Sequence, residues 1–192
     1  MEQSDEELMC AYEKGSQEAI EMIFQRYKKP VFNFALRMLA NRADAEDVTS
    51  DVFLVLFSKR YQPQSGTKFT TWLFAVTRNR CIDRIRKGRH VFSAWFKNQE
   101  TDTYEPWDIE DDSSVPDEQA QEKEQVQLVH KAIMQIPVNQ REALVLREFQ
   151  QLSYEEIAKV LNCSLSNVKV LIFRAREAVR QQMESYRKED FT

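Results

Sequence analysis

SYEEIAKVLNCSLSNVKVLIFRAREAVRQQM, residues Ser153 to Met183, decides the fold. Ser153 followed by Glu156 makes a capping box, so a helix is predicted from Tyr154. Ile157, Ala158, Val160 and Leu161 then recur at helical spacing. Asn162 stands where that helix must stop, and Asn tolerates a left-handed backbone. A second, longer and more basic helix is predicted from about Leu165, capped by Ser164 or Ser166. Two helices joined by a tight turn form a helix-turn-helix, whose second helix can enter the major groove of DNA.

Projected at 100° per residue, the second helix separates into two faces. Leu165, Val168, Leu171, Ile172, Ala175 and Val179 fall on one side and are predicted to pack on the first helix. Ser166, Asn167, Lys169, Val170, Phe173, Arg174 and Glu177 fall on the other. Val170 and Phe173 are out of place on a merely solvated face. A DNA-reading helix accounts for them, since apolar side chains contact the thymine methyl while Lys169 and Arg174 reach bases or phosphates.

Outward from this stretch, composition sets the class. The chain has 192 residues and only three glycines, too few for the turns of hairpins and barrels, so an all-α protein is expected. No apolar run approaches the roughly 20 residues of a membrane span, and the start, MEQSDEELM, is acidic, so the expected location is the cytoplasm. Cys10, Cys81 and Cys163 are far apart and lack metal-ligand spacing, which makes reduced thiols the expectation. Cys81, on a basic helix, is the better candidate for a redox sensor, and Cys163 reads as a small buried hydrophobe.

The net charge of −4 hides a strong asymmetry. Residues 1–25 carry seven acids and one lysine; residues 26–89 carry fourteen basic and five acidic side chains; residues 100–124 carry eleven acids and one lysine. A basic block in an acidic chain points to a nucleic-acid face.

Along the chain the periodicity predicts helices. Residues 5–27 form a first apolar-faced helix that Gly15-Ser16 can break in two, and Pro30 is expected to open another from about Val31 to Ala40. Asn41 to Asp44 is a short connection. Asp44, Glu46 and Asp47 then crowd the start of a third helix running to about Arg60, where they suit the positive end of its dipole. YQPQSGTK, residues 61–68, is a loop. A fourth helix is predicted from about Phe69 to Lys87, apolar at its start and basic after Arg78. Aromatics at the entrance of a basic helix are the parts of a single-strand binding surface, although Phe69 and Trp72 equally suit a core. From His90 to about Gln121 the pattern lapses into an acidic linker with two prolines. Helical pattern returns at about Glu122, and Asn139 with Glu142 makes a further capping box, opening a helix over Gln140–Phe149. The architecture expected is two small helical domains joined by an acidic flexible linker, the second a four-helix bundle containing the helix-turn-helix.

Four stretches resemble the extracytoplasmic-function (ECF), sigma-E-like branch of the bacterial RNA polymerase sigma family: ANRADAEDVTSDVFLVLF (40–57), KFTTWLFAVTRNRCIDRIRK (68–87), IPVNQREALVLREFQQLSYEEIAKVLNCS (136–164) and SNVKVLIFRAREAVRQ (166–181). The resemblance implies a sigma region 2 domain over residues 1–90, a linker over 91–121 and a sigma region 4 domain over 122–192. It implies partners that composition does not: core RNA polymerase, promoter DNA and an anti-sigma protein, with no cofactor, metal, small-molecule substrate or direct membrane insertion. Asp44, Glu46, Asp47, Asp51 and Phe53 become candidate polymerase contacts. Lys68, Phe69, Thr70, Trp72, Arg78, Asn79 and Arg86 become candidates for the melted −10 strand. Ser166, Asn167, Lys169, Val170, Phe173, Arg174 and Arg176 become candidates for the −35 duplex. Many relatives carry arginine where this chain has Leu171, and a small polar residue where it has Val170.

Two other classes fit the sequence less well. An ordinary dimeric helix-turn-helix regulator leaves the basic fourth helix and the acidic linker without a role. An enzyme built on Asp44, Glu46, Asp47 and Asp51 lacks a partnering histidine, a phosphate-binding glycine loop and a nucleophile motif, so no catalytic residue is assigned.

Overall fold

The computed structural model describes residues 3–58, 61, 66–95 and 128–189, and among these it is helical with no strand. Helix α1 spans Asp5–Glu13, opened by a capping box between Ser4 and Glu7. Gly15, at φ +102°, makes the turn that breaks the helix, and Ser16 caps the next by accepting from the Ala19 amide.

Helix α2 runs unbroken over Gln17–Leu39 with Pro30 inside it. The sequence expectation of a new helix after Pro30 is therefore corrected. An interior proline costs about 3 kcal/mol. The same helix buries Ile23, Val31, Phe34, Ala35 and Met38 completely, and at about 1.5–3 kcal/mol for each of its larger side chains burial outweighs the lost ladder bond. Ala40 closes α2 in the left-handed region, its amide bonded to the Leu36 carbonyl.

Helix α3 covers Arg42–Phe57, starting earlier than expected because Asn41 caps it, accepting from the Asp44 amide at 2.9 Å. Helix α4 covers Phe69–Trp95, so it continues past Lys87 into the stretch assigned to the linker. Most of residues 91–121, the expected linker, lies outside the described residues. Helix α5 is described over residues 128–135, followed by α6 (Val138–Glu148), α7 (Tyr154–Leu161) and α8 (Leu165–Glu189).

The α7 cap forms as its sequence dictates: Ser153 and Glu156 exchange both bonds, and Asn162 sits at φ 50°, ψ 52°. The capping box expected at α6 does not form. Pro137 occupies the cap position without a side-chain bond, Asn139 accepts only from the neighbouring Gln140 amide, and Glu142 points elsewhere.

Helix α2 packs on α1, α3 and α4, while α8 packs on α6 and α7. The halves also meet directly, α7 against α4 and α6 against α2. One set of buried side chains runs through both, from Phe34, Leu56 and Leu73 to Ile133, Leu146, Ile157 and Ile172.

Candidate nucleic-acid interface

The outward face of α8 follows from helical phase. Ser164 caps the helix, its hydroxyl accepting from the Asn167 amide at 3.2 Å. Val168, Leu171, Ile172 and Ala175 are buried, so the intervening positions must face out. Ser166, Asn167, Lys169, Val170, Phe173 and Arg174 are all exposed. Phe173 is 71 % exposed and Val170 44 %, an apolar pair flanked by two cations. Leu171 belongs to the core, so an arginine in its place would need a different orientation. Arg176 is exposed but held to Glu148 of α6, with its Nη2 at 2.5 Å and its Nε at 3.0 Å from the same carboxylate oxygen.

The second surface lies along α4, and here the expectation for Phe69 is corrected. Phe69 is fully buried, ringed by Tyr27, Tyr61 and Trp72 with centroids 5.4, 5.5 and 6.0 Å away. It forms the floor of an aromatic cluster and offers no face to a base. Trp72 is half-buried, its ring edge-on to Tyr61 at 5.0 Å, and Thr70 beside it is also half-buried. Asn79 and Arg86 are exposed. Arg78 donates to the Asn79 side-chain oxygen at 3.2 Å, so these two candidates are brought together.

Arg78 and Lys68 are both engaged by the other half of the chain. The Arg78 Nε and Nη2 lie 2.8 and 3.0 Å from the two oxygens of Glu142, a bidentate pair that raises the guanidinium pKa. The Lys68 ammonium lies 2.9 Å from Glu156. The Lys159 ammonium on α7 donates to the Gly66 carbonyl at 3.3 Å.

The third surface is the outer face of α3. Glu46, Asp47 and Asp51 are exposed and Asp44 is half-buried. Arg84 reaches across from α4 to hold Asp47 at 2.5 Å and Asp44 at 3.3 Å, so these acids answer a cation as well as the helix dipole. Phe53 is not on this surface: it is 2 % exposed and packs edge-on against Phe24 at 4.8 Å. The exposed apolar groups are Leu54, at 63 %, and Phe57, at 43 %, neither of which the sequence reading picked out. The buried register Ala45, Val48, Val52 and Leu56 was the signal available, because it places position 54 about 200° from Val52.

Cys81 is fully buried, and burial pushes its thiol pKa up, away from the reactive thiolate that a redox sensor needs. Among the described residues no three His, Cys, Asp or Glu side chains gather to hold a metal ion, and no helix is long and apolar enough to cross a membrane.

The family model described as Sigma-70 region 2 matches residues 23–91, and the model described as Sigma-70, region 4 matches residues 127–179. The chain is 30% identical over 171 residues to the ECF RNA polymerase sigma factor SigW of Bacillus subtilis, covering 88% of this chain and 91% of that one. It is 29% identical over 182 residues to the ECF RNA polymerase sigma-E factor of Escherichia coli strain K12, covering 94% and 95%. Its fold is similar to that of the sigma factor RpoE of Bartonella quintana, solved with the anti-sigma factor NepR, with a TM-score of 0.67 at 23% identity over 85% of this chain and 96% of that one.

Proposed function

The chain belongs to the extracytoplasmic-function sigma factors of RNA polymerase, and on that premise we propose that its three surfaces divide the work of promoter-specific initiation. The outer face of α3 docks on core polymerase, with Asp47, Asp51, Leu54 and Phe57 as contacts and Asp44 and Glu46 assisting. Helix α4 and the loop before it take the melted −10 strand through Lys68, Thr70, Trp72, Arg78, Asn79 and Arg86. Extruding a base from the duplex costs a few kcal/mol, which a pocket and stacking repay. Helix α8 reads the −35 duplex with Ser166, Asn167, Lys169, Val170, Phe173 and Arg174, while Arg176 holds a phosphate from the side.

In this reading residues 1–90 and 122–192 are the two reading units and residues 91–121 the tether between them. The protein acts in the cytoplasm without catalysing a reaction of its own, and an anti-sigma protein holds it inactive. The observation that carries the reading is the outward row of α8. An exposed phenylalanine and valine between a lysine and an arginine match what the major groove offers, thymine methyls among acceptor edges and phosphates.

Run-off transcription on genomic fragments, with core bacterial polymerase and with or without the protein, tests it. Discrete protein-dependent transcripts are expected. Asn79→Ala and Phe173→Ala should each weaken them by about tenfold or more, with the fold intact by circular dichroism. Replacing thymine by uracil in the selected −35 element should cost the wild type more than Val170→Ser or Phe173→Ala, because the methyl is then absent for both. No transcript and no polymerase binding from folded, inhibitor-free protein would overturn the reading. Tight binding to a palindrome by the protein alone would then favour a dimeric regulator.

A further inference from the structure

Arg78 and Glu142 are 64 positions apart, yet they form a bidentate pair whose carboxylate side chain is 5 % exposed and whose guanidinium is 24 % exposed. Lys68 and Glu156 repeat the arrangement at the entrance of α4. Both cations lie on the surface assigned above to the −10 strand, and both acids lie in the half that carries the helix-turn-helix. We propose that Glu142 and Glu156 are internal competitors for the −10 strand, closing the strand-binding face of α4 until the two halves are drawn apart. The proposal deepens the functional reading and rests on it.

The chemistry of the contact supports substitution of one anion for another. A guanidinium fork takes a carboxylate or a phosphate with the same parallel pair of bonds. While Glu142 fills the Arg78 fork, a strand phosphate cannot. Nor is Glu142 occupied with other duties, for the cap that its sequence position suggests does not form. Three further contacts cross the same boundary: Lys159 to the Gly66 carbonyl, Arg141 to the Met38 carbonyl at 2.9 Å, and the Arg37 guanidinium 4.0 Å above the Phe149 ring. Helix α7, first of the helix-turn-helix pair, thereby lies against α4.

The energetics suit a contact that opens. Dehydration of a nearly buried ion pair offsets most of its attraction, so the pair specifies geometry more than it adds stability. Separation returns both groups to water together and leaves neither charge stranded. The Lys68–Glu156 pair, whose lysine is exposed to solvent, adds little more. The closure is also one-sided, since the outward row of α8 stays exposed while Arg78 of α4 is held by Glu142 and α7 lies against α4.

The test uses the full chain, a fluorescein-labelled single-stranded DNA of random sequence, and the double variant Glu142→Gln, Glu156→Gln. Glutamine at position 156 keeps the α7 capping box, which accepts Gln as well as Glu. The double variant should bind the strand about threefold or more tightly than wild type, and more tightly than Glu18→Gln, Glu21→Gln, which makes the same charge change on the exposed side of α2. Small-angle scattering should show a larger radius of gyration for the double variant. Phe149→Ala, which removes the ring beneath Arg37 without altering charge, should move both readouts the same way and covers the case in which Glu142→Gln unfolds. Affinity equal to the charge-matched control, with an unchanged radius, would overturn the proposal. Run-off transcription by the wild type separates the two levels. Transcripts without any tightening reject the internal competitor alone, whereas no transcripts reject the functional premise and the competitor with it.

Discussion

Phe53 and Leu54 are consecutive in α3 and meet opposite environments, the first 2 % exposed beside Phe24 and the second 63 % exposed to solvent. Phe53→Ala should therefore lower stability by about 3–5 kcal/mol, as core phenylalanine truncations do. Leu54→Glu should leave the melting temperature near that of wild type and abolish association with core polymerase. Thermal denaturation and a polymerase pull-down on both variants check the pair, and the reverse pattern would exchange the two roles.

Arg141 is a buried cation that donates to three carbonyls: Met38 at the end of α2, Met134 on α5 and Ile136 beyond it. Burial pushes its pKa down to about 10, which leaves it charged at neutral pH. Arg141→Ala strips a donor from each of those carbonyls and leaves a void. It should destabilise by about 2–4 kcal/mol and lower the melting temperature by roughly 5–15 °C. Lysine at this position should recover only part of the loss, because one ammonium cannot span three acceptors. Urea unfolding of wild type, Arg141→Ala and Arg141→Lys provides the comparison.

His130 is 7 % exposed on α5, and burial together with the nearby Arg37 charge pushes its pKa down to about 4. The unfolded chain takes up a proton near the ordinary histidine value of about 6.5, which the folded chain refuses until about pH 4. Above that window both states are neutral at this position and nothing changes. As pH falls through it, stability is lost, by about 3 kcal/mol at its lower end. His130→Gln should flatten this part of the stability profile between pH 7 and pH 4.5. A wild-type profile no steeper than that of the variant would show that burial does not hold the imidazole neutral.

How far the sequence carried the reading depended on how local each determinant was. The Ser153 and Asn162 caps of α7 are decided by residues within one turn, and they form as read. The outward row of α8 needed only helical phase, so its exposed residues were legible. Glu142 was not. Its spacing from Asn139 matched a capping box, but a partner 64 positions away claimed its carboxylate. Pro30 shows the same competition within a helix, where the burial of Phe34 and Met38 overrides a local breaker. Phe69 and Trp72 shared one description as aromatics at the entrance of a basic helix. Only the positions of Tyr27 and Tyr61 decide that the first is enclosed and the second half-open.

The cysteines carry a consequence for experiment. Cys10 is exposed on α1, Cys163 is half-buried at the turn between α7 and α8, and Cys81 is sealed inside α4. Cys163 is also an electrostatic neighbour of Arg78 across the boundary between the halves. The native chain thus holds three thiols of graded accessibility, with no label introduced. Under a slow alkylating reagent Cys10 should be consumed first and serve as the internal standard. The Cys163 rate then follows separation of the halves, and the Cys81 rate follows release of α4 from the core. Mass spectrometry of one time course would resolve surface reaction, opening and unfolding as three separate rate constants.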